Sequence, residues 1–348
     1  MPRRHKWRWV IYVPLVALLL AAAGYGALRA AVLQPASGAS ARIFVPPGAS
    51  LRSVLRQLAD AGLVRHPRLL ALYLRVHEET LLVQMGNYQI NSGLNGLQVL
   101  AQLRAGPLLE QLTIVEGWNL AQMRSALDAD TQLAHEFKDF TDAQLMDALG
   151  HKGEAAEGRF FPDTYRFAAG TADRKIYQLA YERMAQELAT LWPERDPGIP
   201  ISTPQQALIL ASVVEKETGN EDERGKVAAV FSNRLRTGMR LQSDPTVIYG
   251  LGARYDGQIH TRDLQADTPY NTYTREGLPP TPIALPGAAA LRAVLHPEPI
   301  NALYFVATGL GDGRHQFSAT LEAHNAAVRR YLQRTGNGAA VARLGHGS

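Results

Sequence analysis

Between Trp9 and Leu28 the chain runs for 20 residues without a charge. As a helix rising ~1.5 Å per residue, that stretch is about 30 Å long, the thickness of a bilayer core. Arg3, Arg4, Lys6 and Arg8 precede it. The positive-inside rule therefore keeps residues 1–8 in the cytoplasm as a basic tail and sends the remainder to the other side. Trp7, Trp9 and Tyr12 suit the interface, and Pro14 is tolerated near the start of a membrane helix. The small residues of "AAAG" also allow a cleaved signal peptide, but the apolar run is longer than a usual signal core. The expectation is an uncleaved single-pass anchor over 9–28.

Composition bounds the chain beyond the anchor. Of the 348 residues, 46% are hydrophobic and 20% charged, as in a globular protein, and the length suits about two domains. The formal net charge is +4, and the four basic residues ahead of the apolar run carry all of it. A neutral exported portion has no general pull on phosphate backbones, so nucleic acid is not an expected partner. The absence of cysteine excludes disulfides and thiolate chemistry and fits an oxidising compartment.

Residues 29–41, with "QPASGASA", read as a small-residue linker. Over 42–128 three segments repeat the order strand, glycine turn, helix: "RIFVPPGASLRSVLRQLADAGLV", "GNYQINSGLNGLQVLAQLRAG" and "LTIVEGWNLAQMRSAL". Small modules of this kind resemble LysM domains, which bind N-acetylglucosamine polymers. From 129 to 335 the chain is mainly helical, with helices predicted near 174–192, 204–218, 221–236 and 287–295. Strands "ALYFVATG" and "HQFSAT" flank a "LGDG" turn, and a last helix comes after them. "EGRFFPDTYRF" reads as an aromatic-rich loop, and 238–287 as a loop-rich stretch. The tail 336–348 is expected to be disordered.

The helix near 204–218 ends in "ASVVEKETG". Thr203 suits its N-cap, Pro204 its first turn, Gln206 a capping box and Gly219 its end. At ~100° per residue Glu217 shares a face with Leu210, Val213 and Val214, whereas Glu215 falls near Leu208 and Ala211 on the other side. A carboxylate against apolar side chains loses hydration, and its pKa rises. A general acid needs that property, though an exposed or arginine-paired Glu217 is the plainer alternative. The next helix also starts with a capping box, Asn220 to Glu223, and its Asn233, Arg234 and Arg236 are placed to flank a cleft. Asp244 before Pro245 reads as extended chain beginning a turn. Aromatic and amide residues of "YNTYTREGLPPTPIALPG" suit either a sugar groove or a rigid connection.

Together "EGRFFPDTY", "ILASVVEKETGNEDERGKVAAVFSNRLRTGMRLQSDPTVIYGLG", "YNTYTREGLPPTPIALPG" and "YFVATGLGDGRHQFSATLEAHN" resemble the endolytic murein transglycosylase (MltG, YceG-like) family over nearly the whole chain. The resemblance implies an α+β protein of the bacterial inner membrane. It has a transmembrane helix, a small LysM-like α/β module and a larger mainly helical catalytic domain with a short β component. It further implies an enzyme that cuts nascent peptidoglycan strands internally, leaves 1,6-anhydro-MurNAc ends and so terminates strand elongation. Its partners are glycan strands, the membrane and peptidoglycan synthases. Glu217 matches the family's catalytic glutamate. Glu157, Phe161, Asp163, Thr218, Gln242, Asp244, Thr246, Asn271 and Tyr273 are candidates for substrate binding, with Asp163, Asp244 and Glu157 also candidates for a second carboxyl. Arg159 stands where the family pattern has an aromatic.

Two further readings stay open: a non-catalytic membrane-anchored scaffold that binds peptidoglycan for cell-wall synthases, and a hydrolase. No HExxH, cysteine pair or His-x3-His appears, so neither metal nor cofactor is expected. His315 and His324 read as structural. No GxSxG elbow is present. "GLGDG" precedes a strand where a nucleotide loop needs a helix, so it reads as a hairpin turn.

Overall fold

The computed structural model describes residues 6–335, so the predicted tail 336–348 and most of the basic tail 1–8 lie outside the described residues. Among the described residues the fold is α+β, helices with three small sheets, in two compact units. The first holds residues up to 111 together with 131–134 and 166–172; the second holds 112–130, 135–165 and the chain from 173 onward.

In the first unit helix α1 (Lys6–Val32) contains an apolar stretch, Val10–Val32, long enough to cross a membrane. After it come strand β1 (Ala41–Val45), helices α2 (Leu51–Asp60) and α3 (Pro67–Val76), strand β2 (Gly86–Ile90) and helix α4 (Gly96–Arg104). β1 and β2 pair antiparallel, Ala41 opposite Ile90 and Val45 opposite Gly86. Their alternating residues Ile43, Val45, Tyr88 and Ile90 face one core, as a two-residue period requires. That core takes Val54, Leu55 and Leu58 from α2, Leu70 and Leu74 from α3, and Val99, Leu100 and Leu103 from α4. Leu28 and Val32, the last apolar residues of α1, belong to the same cluster.

The supposed linker is packed. Ala36 N–H donates to Leu94 O and Gly38 N–H to Gly62 O. A Cβ on Gly38 would lie 2.6 Å from the Gly62 carbonyl oxygen. The small residues serve a close backbone crossing there, not flexibility. The boundary expected at 128/129 falls inside the second unit, because helix α5 (Leu120–Ala129) is tied to it: Leu120 N–H donates to Glu157 of that unit.

The second unit also contains α6 (Asp142–Ala148), α7 (Asp173–Leu191), α8 (Pro204–Glu217), α9 (Arg224–Arg236), α10 (Asp244–Leu251), α11 (Thr261–Gln265), α12 (Ala288–Leu295) and α13 (Leu321–Arg334). Strands β5 (Tyr304–Ala307) and β6 (His315–Ser318) form a hairpin, and the short strands β3 (Leu109–Thr113) and β4 (Thr164–Ala168) each have residues in both units. The glycine-rich turn is thus a hairpin turn, and the aromatic loop runs on into β4.

α8 is the central element. Every residue from Ala207 to Val214 is buried. α7, α9 and α12 surround it with Met184, Leu188, Val227, Phe231, Leu291 and Val294. Three end signals differ from expectation. Gln206 closes no capping box on Thr203, since its Oε1 accepts the Ser202 N–H. α8 stops because Thr218 turns extended, and Gly219 is not left-handed. Glu223 is not the closing member of a capping box; its carboxylate instead accepts the His315 backbone N–H and lies 2.8 Å from His315 Nδ1. Asp244 is helical, not a turn residue. Pro245 suits a helix's first turn, where its missing N–H leaves nothing unpaired, and Asp244 faces the positive end of the helix dipole.

Candidate active site

The end of α8 carries carboxylates on two faces, and protein covers both. Glu215 accepts the Gly287 backbone N–H at 3.0 Å and lies 3.8 Å from Arg224 Nη2. Burial raises its pKa while these partners pull it down. Glu215 is therefore a fastened structural carboxylate. The Glu217 carboxylate has no backbone partner among the described residues. Its Oε2 accepts one bond, 2.8 Å from Ser243 Oγ, and solvent still reaches part of the residue. Desolvation lifts its pKa from 4.5 to about 7; the Ser243 bond and Arg234 work against that rise, and the Asp244 charge adds to it.

Ser243 carries no signal in the sequence. It occupies the N-cap of α10, where a serine ordinarily turns its hydroxyl onto its own helix. No such bond forms; the hydroxyl goes to Glu217. Ser243 is fully buried and held from several sides. Its N–H donates to Thr272 Oγ1 at 3.0 Å, and its carbonyl accepts from Thr246 Oγ1 at 2.6 Å. The Thr246 and Thr272 hydroxyls are themselves 2.9 Å apart. This lattice fixes the hydroxyl on which the Glu217 carboxyl rests.

The candidate residues divide into those gathered here and those employed elsewhere. Asp244 is exposed beside Ser243 and accepts the Tyr273 hydroxyl at 2.6 Å. Gln242, also exposed, adopts φ +50, one of two non-glycine residues at positive φ among the described residues, and its N–H donates to Thr272 O. Strained backbone of this kind gathers at functional sites. Thr218 is buried with its hydroxyl accepting the Asn220 N–H. Thr246 belongs to the buried lattice. Asn271 is an internal spoke: its Nδ2 donates to three carbonyls, those of Asp263, Leu264 and Ala266. Phe161 lies in the main core, with the Arg183 guanidinium 5.6 Å from its ring centroid. Asp163 is exposed, and its carboxylate accepts the Thr164 N–H.

Glu157 is a second buried carboxyl with a pKa raised to about 7 by desolvation. It accepts the Leu120 N–H at 3.0 Å and the Tyr249 hydroxyl at 3.1 Å. Its oxygens thus serve the start of α5 and a side chain of α10. Arg159 pairs with Glu154 at 3.2 Å. Of the residues expected to flank a cleft, Asn233 is spent on the carbonyls of Ile300 and Ala302. Arg234 is buried, donates to Leu241 O and Leu303 O, and remains electrostatically felt at Glu217.

Asp128, His135 and Asp173 each offer an atom within 4.8 Å of the others, a cluster that no sequence motif marks. The Asp173 carboxylate already accepts the N–H groups of Glu136, Phe137 and Arg174, so it is committed to its loop.

Replacing Ser243 by alanine is expected to cut turnover about tenfold, the worth of one ~1.4 kcal/mol positioning bond. It also removes an interaction that lowers the Glu217 pKa, so the alkaline limb of the rate profile shifts upward. Asp244→Asn removes one that raises it, so the limb shifts downward. Rate profiles of the two variants on one substrate check these opposite signs.

Known proteins share this arrangement of sequence. The profile of the YceG-like family matches residues 43–330. A Bacillus subtilis (strain 168) protein named endolytic murein transglycosylase is 28% identical over 326 residues, covering 88% of this chain and 89% of its own length. A protein of the same name from Streptococcus pneumoniae (serotype 2, strain D39) is 26% identical over 370 residues, covering 94% of this chain and 66% of its own. A solved structure of a yceG-like protein from Listeria monocytogenes is 28% identical, with a TM-score of 0.52, over 83% of this chain and 99% of that one. With a match that runs from the first strand into the last helix, the chain belongs to the YceG-like family.

Proposed function

We propose that the chain is an endolytic lytic transglycosylase acting on peptidoglycan, with Glu217 as its acid and base. One observation carries the reading: Glu217 is a carboxyl that burial holds near neutral pKa, reachable by solvent and fixed by a single hydroxyl. The names of the Bacillus and Streptococcus relatives support the substrate class.

Protonated Glu217 donates to the oxygen joining N-acetylmuramate to N-acetylglucosamine. That bond breaks, the oxygen leaves with the proton, and positive charge spreads over the muramyl ring oxygen and C1. The ionised carboxylate then removes the proton of the muramyl C6 hydroxyl, whose oxygen closes on C1 to give the 1,6-anhydro ring. Glu217 ends protonated, and no water is consumed. One carboxyl thus serves both steps, whereas most glycosidases use two. Ser243 steadies it in both states. Asp244 disfavours its ionised form before the first step. Gln242, Asp244 and Tyr273 are offered for substrate contact.

The strand–helix–helix–strand order of β1, α2, α3 and β2 supports a LysM-like, glycan-holding role for the first unit. α1 supports a single-pass anchor, with the N-terminus in the cytoplasm and the catalytic part outside. The enzyme then meets nascent strands near their membrane-bound origin, alongside peptidoglycan synthases.

Digestion of purified sacculi by the detergent-solubilised full-length chain tests the reaction. Mass spectrometry should find new ends as 1,6-anhydro-muramyl species. Reducing ends one water heavier identify a hydrolase, and no new ends at all leave the scaffold reading.

A further inference from the structure

In the first unit, α2 and α3 enclose a groove of about 600 Å³. Arg52 and Arg56, one turn apart on α2, face it with Arg68 and Arg75 of α3, and Asp60 is the single acid in its wall. Leu55, Ala71 and Leu72 supply apolar surface. Arg65 lines the adjoining hollow beside Arg68. All five arginines are exposed, and none of their side chains forms an ion pair or hydrogen bond within the described residues. A concavity lined by four cations and one carboxylate, over an apolar floor, concentrates positive potential and draws an anion. Guanidinium forks match phosphate oxygens two at a time.

The depth of this groove is set by α1. Counting ~30 Å of hydrocarbon from Trp9 puts the end of the bilayer core near Leu28. α3 packs against that part of α1. The Tyr25 hydroxyl lies 3.1 Å from His77 Nε2, just past the end of α3. Leu28 and Val32 share a core cluster with Leu70 and Leu74. Leu72 and Val76 of α3 are 45% and 53% exposed, which suits side chains dipping into the boundary between headgroups and acyl chains. The anions available at that level are lipid phosphates.

We propose that the α2–α3 groove binds the phosphate headgroup of an anionic phospholipid in the leaflet where α1 emerges, tying the first unit to the bilayer surface. The inference rests on α1 spanning the membrane, so that premise is checked separately. Alkaline carbonate treatment of membranes should leave the chain in the pellet; extraction into the supernatant would remove both the anchor and the inference.

The full-length chain, purified in neutral detergent and mixed with equal phosphatidylglycerol and phosphatidylcholine, is then measured by native mass spectrometry. The wild type should retain phosphatidylglycerol at least about fivefold over phosphatidylcholine. The variant Arg52→Gln/Arg56→Gln/Arg68→Gln/Arg75→Gln should lose that preference, and Arg42→Gln, which lies outside the groove, should keep it. If the fourfold variant unfolds, the α2 pair and the α3 pair are changed separately, and each should weaken the preference. Equal retention of the two lipids, or an unchanged preference in the arginine variants, overturns the proposal. Millimolar glycerol phosphate should not displace the bound lipid; full displacement would mark a site for soluble phosphate and overturn the lipid assignment.

Discussion

Glu217→Gln is expected to abolish formation of anhydro ends, by about 10³-fold or more, while binding to sacculi persists. Glutamine keeps the shape and still accepts the Ser243 hydroxyl, so the surroundings of residue 217 are undisturbed. It has no proton to give and no charge with which to take one. Loss of a positioned acid and base costs about 10²–10⁴-fold, and here one group fills both offices. Pull-down on sacculi read beside product analysis separates the two effects, and wild-type activity in the variant would end the mechanism. The same change has a pH-dependent effect on stability. A carboxyl at about 7 when folded and 4.5 when unfolded contributes nothing below 4.5. Between those values the unfolded chain ionises first, so stability falls as pH rises, and above about 7 the full penalty applies. That penalty is on the order of 3 kcal/mol. The glutamine variant should therefore match wild type at pH 4 and exceed it at pH 8 in denaturant titrations. Glu157, raised in the same way, leaves a residual slope in both proteins.

The second large effect is expected at Gly158, next to Glu157 in the sequence. Its φ is +78, and an added Cβ would overlap the Pro282 ring, within 2.5 Å of Cγ. Pro282 has little room to retreat, since the next residue, Ile283, donates its N–H to the buried Ser212 hydroxyl on α8. Gly158→Ala should therefore destabilise the second unit by about 3 kcal/mol or more, combining backbone strain with overpacking. In thermal unfolding this is roughly a 5–10 °C drop. Gly150→Ala is the control. Its φ is +90 but the space beside it is open, so it should show only the strain, about 1 kcal/mol. Equal effects at the two positions would mean that contact with Pro282 is not what demands glycine.

The parts of this molecule that sequence announced are those governed by local periodicity. Turning Glu217 onto the face of Leu210, Val213 and Val214 needed only 100° per residue, and α7 and α8 begin and end within a residue or two of expectation. What periodicity missed depends on distant pieces of chain. Ser243 meets Glu217 across 26 residues, and its role shows only once its hydroxyl is seen to decline its own helix cap. Asn271 looks like a sugar-binding amide in sequence, yet its amide nitrogen is consumed by three backbone carbonyls. Phe161 looks like a stacking platform, yet it is core. Glu215 and Glu217 sit on different faces as the wheel requires, but α8 is enclosed on both sides, so burial alone does not tell them apart. Their partners do: one holds a backbone amide, the other a single hydroxyl.

Because Leu28 and Val32 are also core residues of the first unit, the helix proposed as the anchor is a structural part of what it would anchor. Trimming the chain back to residue 41 to obtain a soluble protein would strip a wall from that unit and uncover Leu70 and its neighbours. An expression design that retains the chain from about Tyr25 onward respects the architecture, and a shorter one should be judged by its tendency to aggregate before any loss of activity is blamed on detachment from lipid.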